Sequence, residues 1–258
     1  MRIVPTIQSP LDQRLFDLTT AHLAKLVDYV PGPVKKAGAG KDALINTYHK
    51  DPLYSIWGLD SPEYVSAALS GGTITSIHRK LGDIYQDSVK TIFVTALGQK
   101  AADVNYSAIV TSGTKDETRS ADAYLQFDKL KVPARRRVTA WCGTELERLT
   151  AKPQVKMIGV GMEIRHCYQT GDSKRTQADE AMARHLLVSG ILPVMPLFCN
   201  QSNPGIVSRY RSVWIVKQGM ESYDMIKVFT RYDYYDFLKR NRDDFRAPII
   251  AMLRRLSA

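Results

Sequence analysis

The sequence predicts an α/β fold: a mixed central β-sheet flanked by helices, with a helical N-terminal region ahead of it. Three observations carry that prediction. Residues 156–200 read as a buried strand, a polar loop, an amphipathic helix and a second buried strand. That order makes a βαβ unit, so its two strands should run parallel. Met157 to Ile164 is apolar except for Glu163, and a continuous apolar run of this kind suits a strand covered on both faces. Finally, the first hundred residues show apolar positions at helical spacing.

In chain order, a short extended piece is followed by a helix starting at Ser9-Pro10, with Leu15, Phe16, Leu18, Leu23 and Leu26 on its apolar face. Pro31 to Lys41, PGPVKKAGAGK, reads as a loop. It serves either as a solvated connector or as a basic arm in which Lys35, Lys36 and Lys41 follow phosphates. Residues 42–72 hold short helical patches broken at Asp51-Pro52 and Ser61-Pro62 and ending at Gly71-Gly72. Ile77 to Leu97 is a strong helix with Leu81, Ile84, Tyr85, Ile92, Phe93, Ala96 and Leu97 as its stripe. Tyr106 to Thr111 reads as a strand, Ser112 to Arg119 as a polar turn, and Ala121 to Phe127 as a second strand with Asp122 near its start. The basic cluster PARRR (Pro133 to Arg137) follows, then a short strand over Val138 to Trp141 and a helical Thr144 to Leu149.

The strand ending at Ile164 leads to the polar loop Gln169 to Arg175, where Asp172 or Ser173 is placed to cap a helix. Ala178, Ala181, Met182, Leu186 and Leu187 give that helix its apolar face, Gly190 ends it, and Ile191 to Cys199 forms the next strand. A loop over Asn200 to Gly205, a strand over Val213 to Lys217, a helix over Glu221 to Phe229, an aromatic-anchored helix and a basic-ended helix over 242–256 complete the chain. Residues 1–75 are expected to form a helical region packed on the core, and 76–258 the core itself, with an insertion around 128–153.

At 258 residues with a formal charge of +10 and a pI near 9.5, the chain favours a polyanionic partner, nucleic acid or an acidic membrane. Membrane is the weaker option, because no apolar run approaches the roughly 20 residues needed to span a bilayer. Cys142, Cys167 and Cys199 are odd in number and scattered; they read as reduced core thiols of a cytoplasmic protein. Their spacing matches no zinc site, and the N-terminus lacks a signal-peptide pattern.

Glu163 and Arg165, two apart on one strand, project from the same face. They stand at the carboxyl end of a core strand, where open α/β sheets bind ligands. The bland alternative is an ion pair at a strand end. Types of side chain that read base edges, Arg for guanine and Asn or Gln for adenine, are abundant: Arg135, Arg136, Arg137, Gln169, Arg175, Asn200, Gln201, Asn203, Arg209 and Arg211.

Glu-Ile-Arg followed by Gly-Asp-Ser-Lys-Arg, a helix and a Pro-Val-bearing strand resembles type II restriction endonucleases of the PD-(D/E)xK superfamily, and within it the ApaLI-like group. The resemblance covers roughly the last two-thirds of the chain. It implies a homodimer that cuts double-stranded DNA at a short palindrome, with GTGCAC the first site to test, using Mg2+. It also implies that Asp122, in Arg-Ser-Ala-Asp-Ala-Tyr, and Glu163 are the metal-binding acids on adjacent strands, although 41 positions separate them. On the helix before these strands, Asp83 and Asp87 are further acids of the kind that assist a metal. The family pattern places a Lys two residues after the Glu, where this chain has Arg165. Either Arg165 acts as a purely electrostatic clamp, or Lys174 reaches back from the start of the next helix to take the lysine role.

Overall fold

The structure, a computed structural model, describes residues 6–27, 40–50, 58–112, 115–149, 155–168 and 173–257. The chain divides into two compact units: residues 1–3, 19–81 and 242–258 form one, and 4–18 and 82–241 the other. Helix α1 (Pro10–Val27) begins at the proline-led turn, where Ser9 Oγ accepts from Asp12 N at 3.1 Å.

The first unit is helical. Within it α2 (Gly40–His49) and the first part of α3 (Pro62–Leu97) bury Leu44, Val65 and Leu69 together. Lys41, expected in a loop, lies inside α2. The helix expected from Ile77 begins 15 residues earlier, at Pro62, and passes straight through Gly71-Gly72. Each glycine costs a helix interior about 1 kcal/mol, and the buried Val65, Leu69 and Thr73 on the same stripe offset that cost. Helix α9 (Arg242–Ser257) closes the chain.

The second unit holds the sheets. Strands β1 (Tyr106–Ser112) and β2 (Lys115–Ala121) form an antiparallel hairpin with Tyr106 opposite Ala121. Most of the turn expected over 112–119 is therefore strand. Its polar composition, KDETRSA, hid a ladder held by backbone pairing and by cross-strand contacts such as Ser107 Oγ to Ser120 Oγ at 2.6 Å. The four-stranded sheet has the order β3-β4-β5-β6. Strand β3 (Ala123–Gln126) is antiparallel to β4 (Gly159–Met162), whereas β5 (Ile191–Leu197) and β6 (Ile215–Gln218) continue parallel to β4. The fold is mixed α/β, as expected.

A short 3₁₀ turn (Phe127–Lys129) and α4 (Val132–Leu146) intervene between β3 and β4. The strand expected over 138–141 is helix interior. Ala134, Val138, Cys142 and Glu145 are its buried positions, and their spacing of four, four and three is helical. Helix α5 (Ser173–Val188) crosses from β4 to β5 and packs closely. A Cβ on Gly161 of β4 would lie 2.9 Å from Leu186, and Gly190, at φ +71°, makes the turn into β5. An unforeseen helix, α6 (Pro204–Tyr210), takes up the end of the expected 200–205 loop, and α7 (Met220–Thr230) and α8 (Tyr234–Arg240) follow β6.

The cysteine reading is corrected for two of the three. Cys167 and Cys199 form a disulfide with Cα atoms 5.7 Å apart; Cys142 is a buried thiol whose pKa burial pushes up to about 12. The pairing follows from the sheet. Arg165 lies beside Leu197 in the parallel register, so the residues two further along each segment also align.

Candidate active site

The acids meet where β3 and β4 pair. Asp122 is the residue between β2 and β3, and its N–H donates to Met162 O at 2.8 Å. In return the Ile164 N–H donates to Asp122 Oδ2 at 2.8 Å. Glu163 continues β4 beside β5, its N–H donating to Val194 O at 3.0 Å. Two residues on, Arg165 turns back over both acids. Its Nη1 donates to Asp122 Oδ2 at 2.9 Å, and its Nη2 pairs with Glu163 Oε1.

All three side chains are largely shielded, with exposures of 15% for Asp122, 9% for Glu163 and 18% for Arg165. Two carboxylates thus share one guanidinium. Burial pushes the Asp122 carboxyl above its ordinary value of 3.8, against the opposing pull of Arg165, the Ile164 N–H and Lys90. For Arg165, burial works against the charge, but Tyr168, Asp122 and Asp179 more than restore it, and its pKa is raised.

Behind Arg165 stands a second layer of polar groups. Arg165 Nε donates to Tyr168 Oη at 3.3 Å; Tyr168 Oη donates to Asp179 Oδ2 at 2.8 Å, which also accepts from Tyr210 Oη at 3.0 Å. Trp214 Nε1 donates to the Asp179 backbone oxygen at 3.2 Å. In front, an open cavity of about 560 Å³ is lined by Thr118, Arg119 and Ser120 of β2, Glu163 and Arg165 of the β4 end, and Lys174, Arg175, Ala178, Asp179 and Met182 of α5.

The structure therefore brings Asp122, Glu163 and Arg165 into contact and sets Lys174 and Arg175 along the same cavity as Glu163 and Arg165. Lys174 and Arg175 are exposed in the first turn of α5. Other expected DNA contacts lie elsewhere or have other work. Arg137 bonds the carbonyls of Val228, Phe229 and Pro133, tying α4 to the end of α7. These bonds give it a structural role as a tether. Asn203 caps α6, its Oδ1 accepting from Gly205 N at 2.9 Å. Asn200 packs its amide against Gly219, where an added Cβ would fall 2.0 Å from Oδ1. Arg135 and Arg136 are exposed on α4, Gln201 precedes α6, and Arg209 and Arg211 are exposed at its end. Lys35, Lys36 and Gln169 lie outside the described residues.

Sequence reasoning missed four residues around the acids. Lys90 on α3 exerts its charge on Asp122. Neither Asp83 nor Asp87 on that helix completes a group of three metal-binding side chains among the described residues. Asp179 could have been found, because it falls three before Met182 and seven before Leu186 on a face that is otherwise buried and apolar. Tyr168 and Arg119 carried no local signal.

Two carboxylates are the kind of ligand a hard divalent cation takes, and among the described residues no third metal-binding side chain joins them. Magnesium uses one or two carboxylates and fills its remaining positions with water and phosphate oxygen. Asp122 and Glu163, from neighbouring strands, aim oxygens at one positive group, and the Arg165 guanidinium supplies that charge here. Compared with protein-family models, curated proteins and solved structures, the chain shows no significant match.

Proposed function

We propose that this chain is a magnesium-dependent endonuclease that hydrolyses phosphodiester bonds of double-stranded DNA at a short palindromic site, in the manner of a type II restriction enzyme. The observation that carries the reading is the convergence of Asp122 and Glu163, from antiparallel neighbouring strands, on Arg165 at the mouth of a cavity bearing Lys174 and Arg175. The acid-bearing strands following a long helix, the resemblance of Glu163 to Arg175 to the PD-(D/E)xK pattern, and the charge of +10 support the same reading.

In this reading Asp122 and Glu163 would hold the cation, which when bound would supply charge to polarise the phosphate and lower the pKa of water. Tyr168 and the two acids fix the direction of the Arg165 guanidinium. Because Arg165 stays protonated, it cannot serve as a base; it neutralises negative charge at the carboxylates and at an arriving phosphate. Lys174, on the cavity wall, supplies the second cation. A palindromic target calls for two copies of the chain, and sedimentation of the protein with and without duplex tests the homodimer.

The deciding experiment is digestion of plasmid DNA of known sequence in Mg2+. Discrete ends, with GTGCAC examined first, support the restriction reading, whereas cuts confined to nicked, mismatched or branched DNA support a repair nuclease. One observation favours a second reading, a DNA-binding protein without catalysis: the Arg165 guanidinium already neutralises the gap between the acids. Duplex binding with no cutting in any divalent metal would establish that second reading.

A further inference from the structure

The cavity beside the acids has a second wall that the proposed chemistry does not use. It is built from β2, a strand whose sequence had read as a turn. Thr118, Arg119 and Ser120 line it opposite Lys174 and Arg175 of α5. Arg119 is held rather than loose. Its Nη2 pairs with Glu117 Oε2 at 2.5 Å, and its side chain is 25% exposed while that of Glu117 is 51% exposed. Arg119 Nε is shielded from solvent and has no hydrogen-bond partner among the described residues.

A shielded donor without a partner is costly, and a planar guanidinium presents its donors as a fork matched to phosphate oxygens. Besides Arg165, three cationic side chains from two separate elements, Arg119 of β2 and Lys174 and Arg175 of α5, thus border one cavity. Among the described residues that line it, the acids are Glu163, paired with Arg165, and Asp179, bonded to Tyr168 and Tyr210.

We infer that Arg119, with Lys174 and Arg175, forms a phosphate-binding cleft that grips a backbone phosphate of duplex DNA next to the one at the acids, making β2 a DNA-contacting element. This rests on the nuclease reading for its choice of polyanion, but its test does not depend on cleavage. Releasing one phosphate contact lowers the slope of log K against log salt by about 1 and weakens all duplex sequences about equally.

The test measures binding of a short fluorescent duplex to the full chain without Mg2+, by anisotropy, across about 50 to 200 mM salt. Arg119→Ala should reduce the salt slope by about 1, and Arg119→Lys should retain it. Glu117→Ala, which removes only the carboxylate that neutralises Arg119, should tighten binding. It keeps the question answerable should Arg119→Ala fail to fold, as judged by its circular-dichroism melt. An unchanged slope in Arg119→Ala together with unchanged binding in Glu117→Ala overturns the cleft, as does a wild type that binds no duplex. If the wild type binds with an Arg119-dependent slope but never cuts, the cleft stands and the hydrolase reading falls. If it cuts while Arg119→Ala keeps the wild-type slope, the reverse holds.

Discussion

Two buried carboxylate clusters in the same unit are built from the same kinds of side chain and behave in opposite ways. At Asp12, one carboxylate receives the Gln8 N–H at 3.0 Å, the Ser9 hydroxyl at 3.1 Å, Arg240 Nη2 at 3.0 Å and the Tyr232 hydroxyl at 2.7 Å. Burial alone would raise its pKa, but these donors together hold it below 3.8. At the sheet edge, two carboxylates share the guanidinium of Arg165, and burial drives Asp122 up against the pull of Arg165, the Ile164 N–H and Lys90. The first cluster has more donors than charge to satisfy. In the second, burial outweighs the donors and cations that favour the carboxylate. A structural ion pair resembles the first, and a carboxyl held above its ordinary value by burial beside a cavity is the kind of group that marks a functional site.

The contrast is broken most severely by removing an acid from the second cluster. Glu163→Ala and Asp122→Ala should each lower cleavage at least about 10³-fold, equivalent to roughly 4 kcal/mol in the barrier, with duplex binding retained. Cutting rates and anisotropy measured on the same preparations check this. Wild-type cleavage in either variant would reduce that acid to a structural role. Next in size, Arg165→Ala should cost about 10²-fold or more in rate if the guanidinium stabilises charge at the phosphate. It also leaves two buried acids without their cation, a loss of about 3–5 kcal/mol, so its melt must be read beside its rate. Lys174→Ala removes an exposed cavity cation and should leave the melt unchanged. A rate loss in Lys174→Ala larger than in Arg165→Ala would transfer the main cationic role to Lys174.

Half of this site was legible before any coordinates. Glu163 and Arg165 share a face because strand side chains alternate, and their place at the end of a buried strand followed from the apolar run before them. The approach of Asp122 was not legible in the same way. It depends on β3 choosing β4 across the intervening α4, and residue spacing cannot specify that pairing. The disulfide failed for a related reason: parallel pairing was expected, but the register that sets Arg165 beside Leu197 was not. Strand β2 was missed because its side chains are polar, while its order comes from the backbone ladder with β1. Helix α4 was only partly expected: Val138 to Trp141 was read as a short strand and Thr144 to Leu149 as helix, whereas the burial of Ala134, Val138 and Cys142 obeys the helical period.

The first cluster yields a smaller effect, read in stability. Asp12→Asn should destabilise the chain by about 1–3 kcal/mol, the usual cost of compromising a buried hydrogen-bonded group. The sign with pH follows from the lowered folded pKa. The contribution of Asp12 is complete above the unfolded value near 3.8 and disappears as pH falls through the lower folded value. Melts of wild type and Asp12→Asn should therefore differ at neutral pH and converge in acid. A gap that persists unchanged into acid would mean that packing, not the ionised carboxylate, supports this corner.

The smallest effect separates a cap from a base reader near the acid cluster. The N–H of Asn203 donates to Tyr168 O at 2.7 Å, and its side chain caps α6 through Gly205 N. Replacing a capping residue with Ala costs about 1 kcal/mol, while Asp caps as well as Asn. Asn203→Asp should thus melt like wild type, and Asn203→Ala should melt slightly lower. Cleavage-site preference should be the same in both. An adenine-reading Asn gives the opposite pattern, because the bidentate contact needs an amide that donates as well as accepts. Asp lacks the donor, and discrimination would fall in Asn203→Asp even with its stability intact. Such a result would move Asn203 from the scaffold behind Tyr168 to the DNA-facing surface.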